Sequence, residues 1–128
     1  MVTEHPNIAV LARFYELFAD GEISPLLTED AFVHVGGGNA LSGMHQGRRA
    51  AVECLGKYRA NAADGIETEI HDILANDHHG LAIVRVGARR HDVTYDEWET
   101  HVFELVDGSI AGIFVYWNDP GPADEFFV

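Results

Sequence analysis

The sequence predicts an α+β domain, helices first and a β-meander after, on three observations. From Pro6 to Ala19 the apolar residues Ile8, Leu11, Tyr15 and Phe18 recur at spacings of three and four, the period of one helix face. From Ile66 onward the chain is rich in β-branched and aromatic residues, in runs separated by turn signals. Between the last two runs stands Asp107-Gly108, a hairpin signal because both positions of that tight turn require positive φ. Helices followed by a meander imply a curved, mostly antiparallel sheet folded over the helices.

The elements follow in order. The first helix, Pro6 to Ala19, starts after Thr3 and stops at Asp20-Gly21, with Val10, Phe14 and Leu17 widening its buried stripe. Ile23 to Leu27 contains Pro25 and has room for about one or two turns of a short second helix. Ala31 to Val35 reads as a strand interrupted by His34. Gly36, Gly37 and Gly38 then break it and make a corner. Arg48 to Ala62 places Val52, Leu55, Tyr58 and Arg59 along one side of a helix, and Gly56 in its middle suggests close packing against a neighbour. Four strands are expected after it: Ile66 to Leu74, Leu81 to Arg89, Glu97 to Val106 and Ile110 to Trp117. The tail ends in Phe126-Phe127-Val128, an apolar end that packs onto the body or a partner. Both alternating sets of the last strand are apolar, so both sheet faces need a cover, one from the helices and one from a second subunit.

Size and charge exclude whole classes of function. A chain of 128 residues that is 47% hydrophobic fits one domain with a real core. Eight Lys and Arg against 21 Asp and Glu give a net charge of -13, which repels phosphate backbones and anionic lipids, so neither nucleic acid nor a membrane is an expected partner. Cys54 is the only cysteine and reads as a small buried thiol, compatible with a reducing cytoplasm. The N-terminus lacks the layout of a signal peptide, and no stretch is long enough to span a bilayer. No motif holds a metal, the glycine run lacks the lysine of a phosphate loop, and no nucleophile elbow is present.

One resemblance covers nearly the whole chain. A strand ending in His34-Val35-Gly36, then Asn39-Ala40-Leu41-Ser42-Gly43, then Gly47-Arg48 opening a helix, resembles the NTF2-like superfamily, particularly its SnoaL-like branch. The aromatic first helix, the Asp107-Gly108 hairpin and an aromatic last strand closing on Asn118-Asp119-Pro120 fit the same pattern. The resemblance implies a cone whose pocket wall passes through the glycine corner. It is specific for fold and not for reaction, because that superfamily holds isomerases, cyclases and hydrolases alike.

Eight histidines divide into two kinds. His5, His45, His78, His79 and His91 lie in turns or the terminus, where they are solvated, whereas His34, His71 and His101 lie on strands. A strand histidine is more often a hydrogen-bonded core residue than a catalyst, but three on different strands of a cone suggest function. By resemblance His101 falls where ketosteroid isomerases hold a pocket carboxylic acid. Val35 stands where they have their aspartate base, a departure from that mechanism. Asp119 lies where SnoaL-like cyclases place an acid/base aspartate, although aspartate before proline is also a turn starter. Limonene epoxide hydrolases use an Asp-Arg-Asp set, part of which Arg85 and Asp72 offer. His34, His101 and Asp119 are thus the catalytic candidates. Tyr15, Phe18, Phe32, Tyr58, His71, Phe103 and Trp117 are the candidate ligand lining.

Two readings follow. In the first, a hydrophobic pocket holds a cyclic or polyketide-like molecule on which one acid or base moves a proton, with no cofactor. In the second, a homodimeric domain binds a hydrophobic small molecule or acts as a scaffold, and its polar residues only satisfy one another. The discriminator is a proton donor or acceptor facing an open pocket.

Overall fold

The computed structural model describes residues 4–20 and 22–128, and the helix signals expected at Thr3 and Gly21 lie outside them. Helix α1 spans Pro6–Asp20, and its buried stripe is Leu11, Phe14, Tyr15 and Phe18. Asn7 is buried beside them in place of Ile8 because its side-chain amide donates to the Asn76 carbonyl at 3.0 Å. The expected second helix is a single 3₁₀ turn, Ser24–Leu26, and Leu27 already belongs to strand β1, Leu27–Val35. Thr28, Glu29 and Asp30 therefore lie within a strand. Their side chains are mostly exposed, which is why polarity there reads as a break.

The corner leads into a four-residue edge strand, β2 (Gly43–Gln46), that the sequence does not announce. Its side chains are largely exposed, so no alternation marks it. Helix α2 follows as Arg48–Ala60 and buries Ala51, Cys54, Leu55 and Tyr58. Gly56 overturns one expectation: a Cβ there would meet nothing within 4 Å, so it serves no close packing. Burial pushes the Cys54 thiol up to about 11 despite the opposing pull of Lys57, as expected for an inert core thiol.

Strands β3 (Gly65–Ala75), β4 (His79–Arg90), β5 (Val93–Val106) and β6 (Ser109–Trp117) are each longer than their apolar runs. All six strands form one sheet in the order β2-β1-β6-β5-β4-β3, antiparallel except where β1 runs parallel to β6. Asp107 and Gly108 have φ of 49° and 79°, and they join β5 to β6 as a two-residue hairpin.

Two register shifts decide which side chains face the helices. One on β3 between Ile70 and Asp72 makes His71 an extra residue and returns Ile73 to the inner face opposite Ala82. The other, between Glu104 and Leu105, brings Leu105 and Ile110 inward together. Along β5 the inward set is Tyr95, Glu99, His101, Phe103 and Leu105, resolving an alternation that the sequence leaves open. The chain ends in helix α3, Pro120–Phe126, where only a tail is expected. Phe126 and Phe127 are each 1% exposed and pack on Tyr95, Trp117 and Tyr58 of the same chain. Among the described residues no helix is long and apolar enough to cross a membrane.

Candidate functional site

A carboxylate sits in the middle of the core. Alternation on β5 aims Glu99 and His101 inward between α1 and α2, and Glu99 is only 1% exposed. Such a charge is stable there only if its lone pairs are filled. Three donors fill them: the Tyr58 hydroxyl at 2.7 Å, the Tyr95 hydroxyl at 2.9 Å and His101 Nε2 at 2.8 Å. On its other side His101 Nδ1 lies 2.6 Å from the Tyr15 hydroxyl, with the two rings stacked.

With Glu99 ionised, and so accepting only, Nε2 carries a hydrogen, and Nδ1 of a neutral ring then accepts from Tyr15. Tyr15 and Tyr58 are held well above the usual phenol range, first by burial and then by the nearby charge of Glu99, and Tyr95 is raised for the same reasons. All three remain protonated donors at neutral pH. If the ring takes a second proton, Nδ1 donates to the Tyr15 oxygen and the Tyr15 O–H is released to another acceptor. Among the described residues no buried side-chain polar atom lacks a partner.

Beside this chain of bonds lies an apolar hollow walled by Phe14, Phe18, Leu55, Tyr58, Val86 and Ile113, with Tyr15, Thr68 and His101 as its polar lining. Its volume is about 20 Å³, enough for one water and too little for a cyclic ligand.

Of the residues singled out from sequence, Tyr15, Phe18, Tyr58 and His101 meet at this hollow. Phe103 is fully buried behind Phe14 and Tyr15. Trp117 stands at the glycine corner, its indole N–H donating to the Gly36 carbonyl at 2.8 Å. Phe32, His34 and His71 lie on the opposite sheet face, where His34 and Phe32 meet Phe114 and His71 meets Trp98. Strand alternation separates them from the hollow, since Val33, Val35 and Ile70 take the inward positions beside them. Asp119 caps α3 by accepting from the Gly121 N–H at 3.0 Å. Arg85 forks onto Asp96, at 2.8 and 3.0 Å, rather than joining Asp72. Glu99, the hub of the site, escapes the sequence reading as a functional candidate. The available signal is its place two residues before His101 on one strand face. Among the described residues no three His, Cys, Asp or Glu side chains gather as a ligand set for a metal ion.

Solved structures share this architecture. Bal32a, from a soil-derived mobile gene cassette, superposes with a TM-score of 0.88 at 25% identity, over 95% of this chain and 96% of that one. TerC, co-crystallised with polyporic acid, gives 0.81 at 16% identity over 96% and 98% of the two chains. An NTF2-like protein from Anabaena variabilis gives 0.78 at 18% identity over 95% and 98%. No curated protein matches by sequence. The SnoaL-like domain family matches residues 11–113, most of the chain. With that match and the curved sheet over its helices, the chain belongs to the SnoaL-like domain family, within the NTF2-like fold.

Proposed function

We propose that the protein binds a neutral, largely apolar cyclic molecule beside Tyr15 and His101 and moves a proton on it without a cofactor, as an isomerase or cyclase would. The observation that carries this reading is the bonded chain Glu99–His101–Tyr15, whose last two members line the hollow. A buried carboxylate together with its donors costs stability that a wholly apolar set of side chains of the same shape would not, and such costs are typical of working sites. In the acid direction the imidazolium Nδ1 proton passes to the Tyr15 oxygen as the Tyr15 hydroxyl proton passes to a developing oxyanion. Reversal of the same transfers makes Tyr15 and His101 the base. The net charge of -13 disfavours anionic ligands. TerC, which shares the fold, was crystallised with polyporic acid, so a small organic molecule is compatible with this architecture.

A second reading is a non-catalytic homodimeric scaffold. It is favoured by the smallness of the hollow and by the complete satisfaction of the network.

A melting screen of neutral cyclic molecules on the natural protein and on Tyr15→Phe separates the two. Tyr15→Phe removes the hydroxyl at the hollow and leaves all three donors of Glu99 in place, so the fold persists. A ligand at a hundredfold excess over its Kd adds about 2.7 kcal/mol of stability. The proposal expects a clear rise in melting temperature that Tyr15→Phe diminishes. The absence of any response, or a response indifferent to Tyr15, leaves the scaffold reading.

A further inference from the structure

Phe18 separates the inner hollow from the outside. A groove of about 280 Å³ runs along the surface between α1 and β3, with Ala19 on one wall and Ile66 and Ile70 on the other. Tyr15, Phe18 and Thr68 line both the groove and the hollow, so these three side chains form the partition between them. They are not equally free to move. Tyr15 is tied to His101 at 2.6 Å. The Phe18 ring stacks on Phe14 at 6.0 Å and meets Tyr58 edge-on at 5.5 Å between centroids, while only its backbone carbonyl is hydrogen-bonded, accepting from Arg59 at 3.0 Å. A ring without a polar tether can rotate aside and leave every bond of the network intact.

We infer that the α1/β3 groove is the ligand channel and that Phe18 is its gate. This inference rests on the reading of the hollow as a working site. The groove is near the lower end, roughly 300 Å³, of small-molecule sites, whereas the hollow alone is far below it. The walls set the class of ligand. Ile66, Ile70 and Ala19 take an apolar tail, and the Tyr15–His101 end takes one hydroxyl or carbonyl oxygen. The occupant is a neutral, elongated molecule with a polar oxygen at its inner end.

The test uses 4-alkylphenols from methyl to hexyl, neutral at pH 7, with affinity by calorimetry and association rate by stopped flow. Each methylene buried in the groove should tighten binding roughly fourfold in the natural protein. Ala19 is exposed, so Ala19→Trp folds, and it should flatten that rise by filling the channel. Phe18→Ala should speed association. A rise that survives Ala19→Trp but is lost in Gly56→Trp, which fills a separate pocket of about 120 Å³ between α1 and α2 on the other side of Phe18, overturns the channel. An association rate unchanged in Phe18→Ala overturns the gate. Tyr15-dependent binding that gains nothing with tail length sinks the channel alone and leaves the proposed function standing. Binding of 4-methylphenol indifferent to Tyr15→Phe, or no binding at all, removes that function and this inference with it.

Discussion

Glu99 shows how one residue sets the energetics of its surroundings. Replacing it by Leu leaves the hydroxyls of Tyr58 and Tyr95 and the Nε2 hydrogen of His101 without an acceptor. Each orphaned buried donor costs about 1–3 kcal/mol, so Glu99→Leu should lose about 3 kcal/mol or more in urea unfolding. Adding Tyr58→Phe and Tyr95→Phe removes two of the orphans, and the triple variant should recover much of the loss. A triple variant no more stable than Glu99→Leu would show that the cost lies in packing and not in polar satisfaction. A second residue with a definite cost is Gly37. Its φ is +79°, and a Cβ there would meet Asp124 Oδ1 at 2.8 Å and Trp117 Nε1 at 3.0 Å. In a valine scan of Gly36, Gly37, Gly38 and Gly43, Gly37→Val should show the largest fall in melting temperature, equivalent to about 1 kcal/mol or more. Gly43 also has positive φ, but a Cβ there meets open space. An unchanged midpoint for Gly37→Val would remove the corner as a constraint.

At the scale of elements, α3 separates structural from catalytic roles for Asp119. Its carboxylate fills the N-cap position ahead of Pro120, and Asp124 in the same helix accepts from the Gly38 N–H at 2.9 Å and the Asn39 side-chain amide at 3.0 Å. Asp119→Ala should therefore cost about 1 kcal/mol and leave any ligand response unchanged. Loss of response with unchanged stability would restore Asp119 to the site. What was legible beforehand follows from how local each signal is. The first helix, the hairpin at Asp107-Gly108 and the four late strands announce themselves through periodicity and turn chemistry, which are local. Edge strand β2 and helix α3 do not, since their stability comes from pairing with β1 and from burying Phe126 and Phe127 against distant strands. The candidate site was half legible for the same reason. His101 stands out by residue type, and so do the rings of Tyr15, Phe18 and Tyr58. Glu99 is one of 21 acidic residues, and only the tertiary fold brings two tyrosines from other segments to it. Likewise no local signal shows that strand pairing puts His34 and His71 on the outer face, away from Tyr15 and His101.

For the whole molecule, the raised phenols and thiol make stability depend on pH in one direction. Groups whose folded pKa lies above the unfolded value stabilise fully below the unfolded pKa, and that contribution disappears as pH rises towards the folded one. Cys54, ordinarily near 9 and pushed up to about 11, begins the loss, and Tyr15, Tyr58 and Tyr95, ordinarily near 10 and raised further, continue it. Stability should fall steadily above pH 9, with tyrosinate absorbance of the buried rings emerging together with unfolding. Their ionisation in a chain that keeps its native circular dichroism would contradict the buried network. The outer sheet face makes the other prediction at this scale. It carries Phe32, His34, Trp98, Val102 and Phe114, with Tyr116 half-exposed among them, and the helices cover only the inner face. A contiguous aromatic patch of this kind is costly to leave in water. A two-fold pairing of identical sheet faces is the simplest cover, because one self-complementary surface closes the assembly. Light scattering at micromolar concentration should give twice the chain mass of 14.1 kDa. Val102→Glu places a charge in the middle of that face, on a strand otherwise held by its neighbours on both sides, and should shift the mass to the monomer while the melting profile stays cooperative. A natural protein that already scatters as a monomer at these concentrations would overturn the pairing.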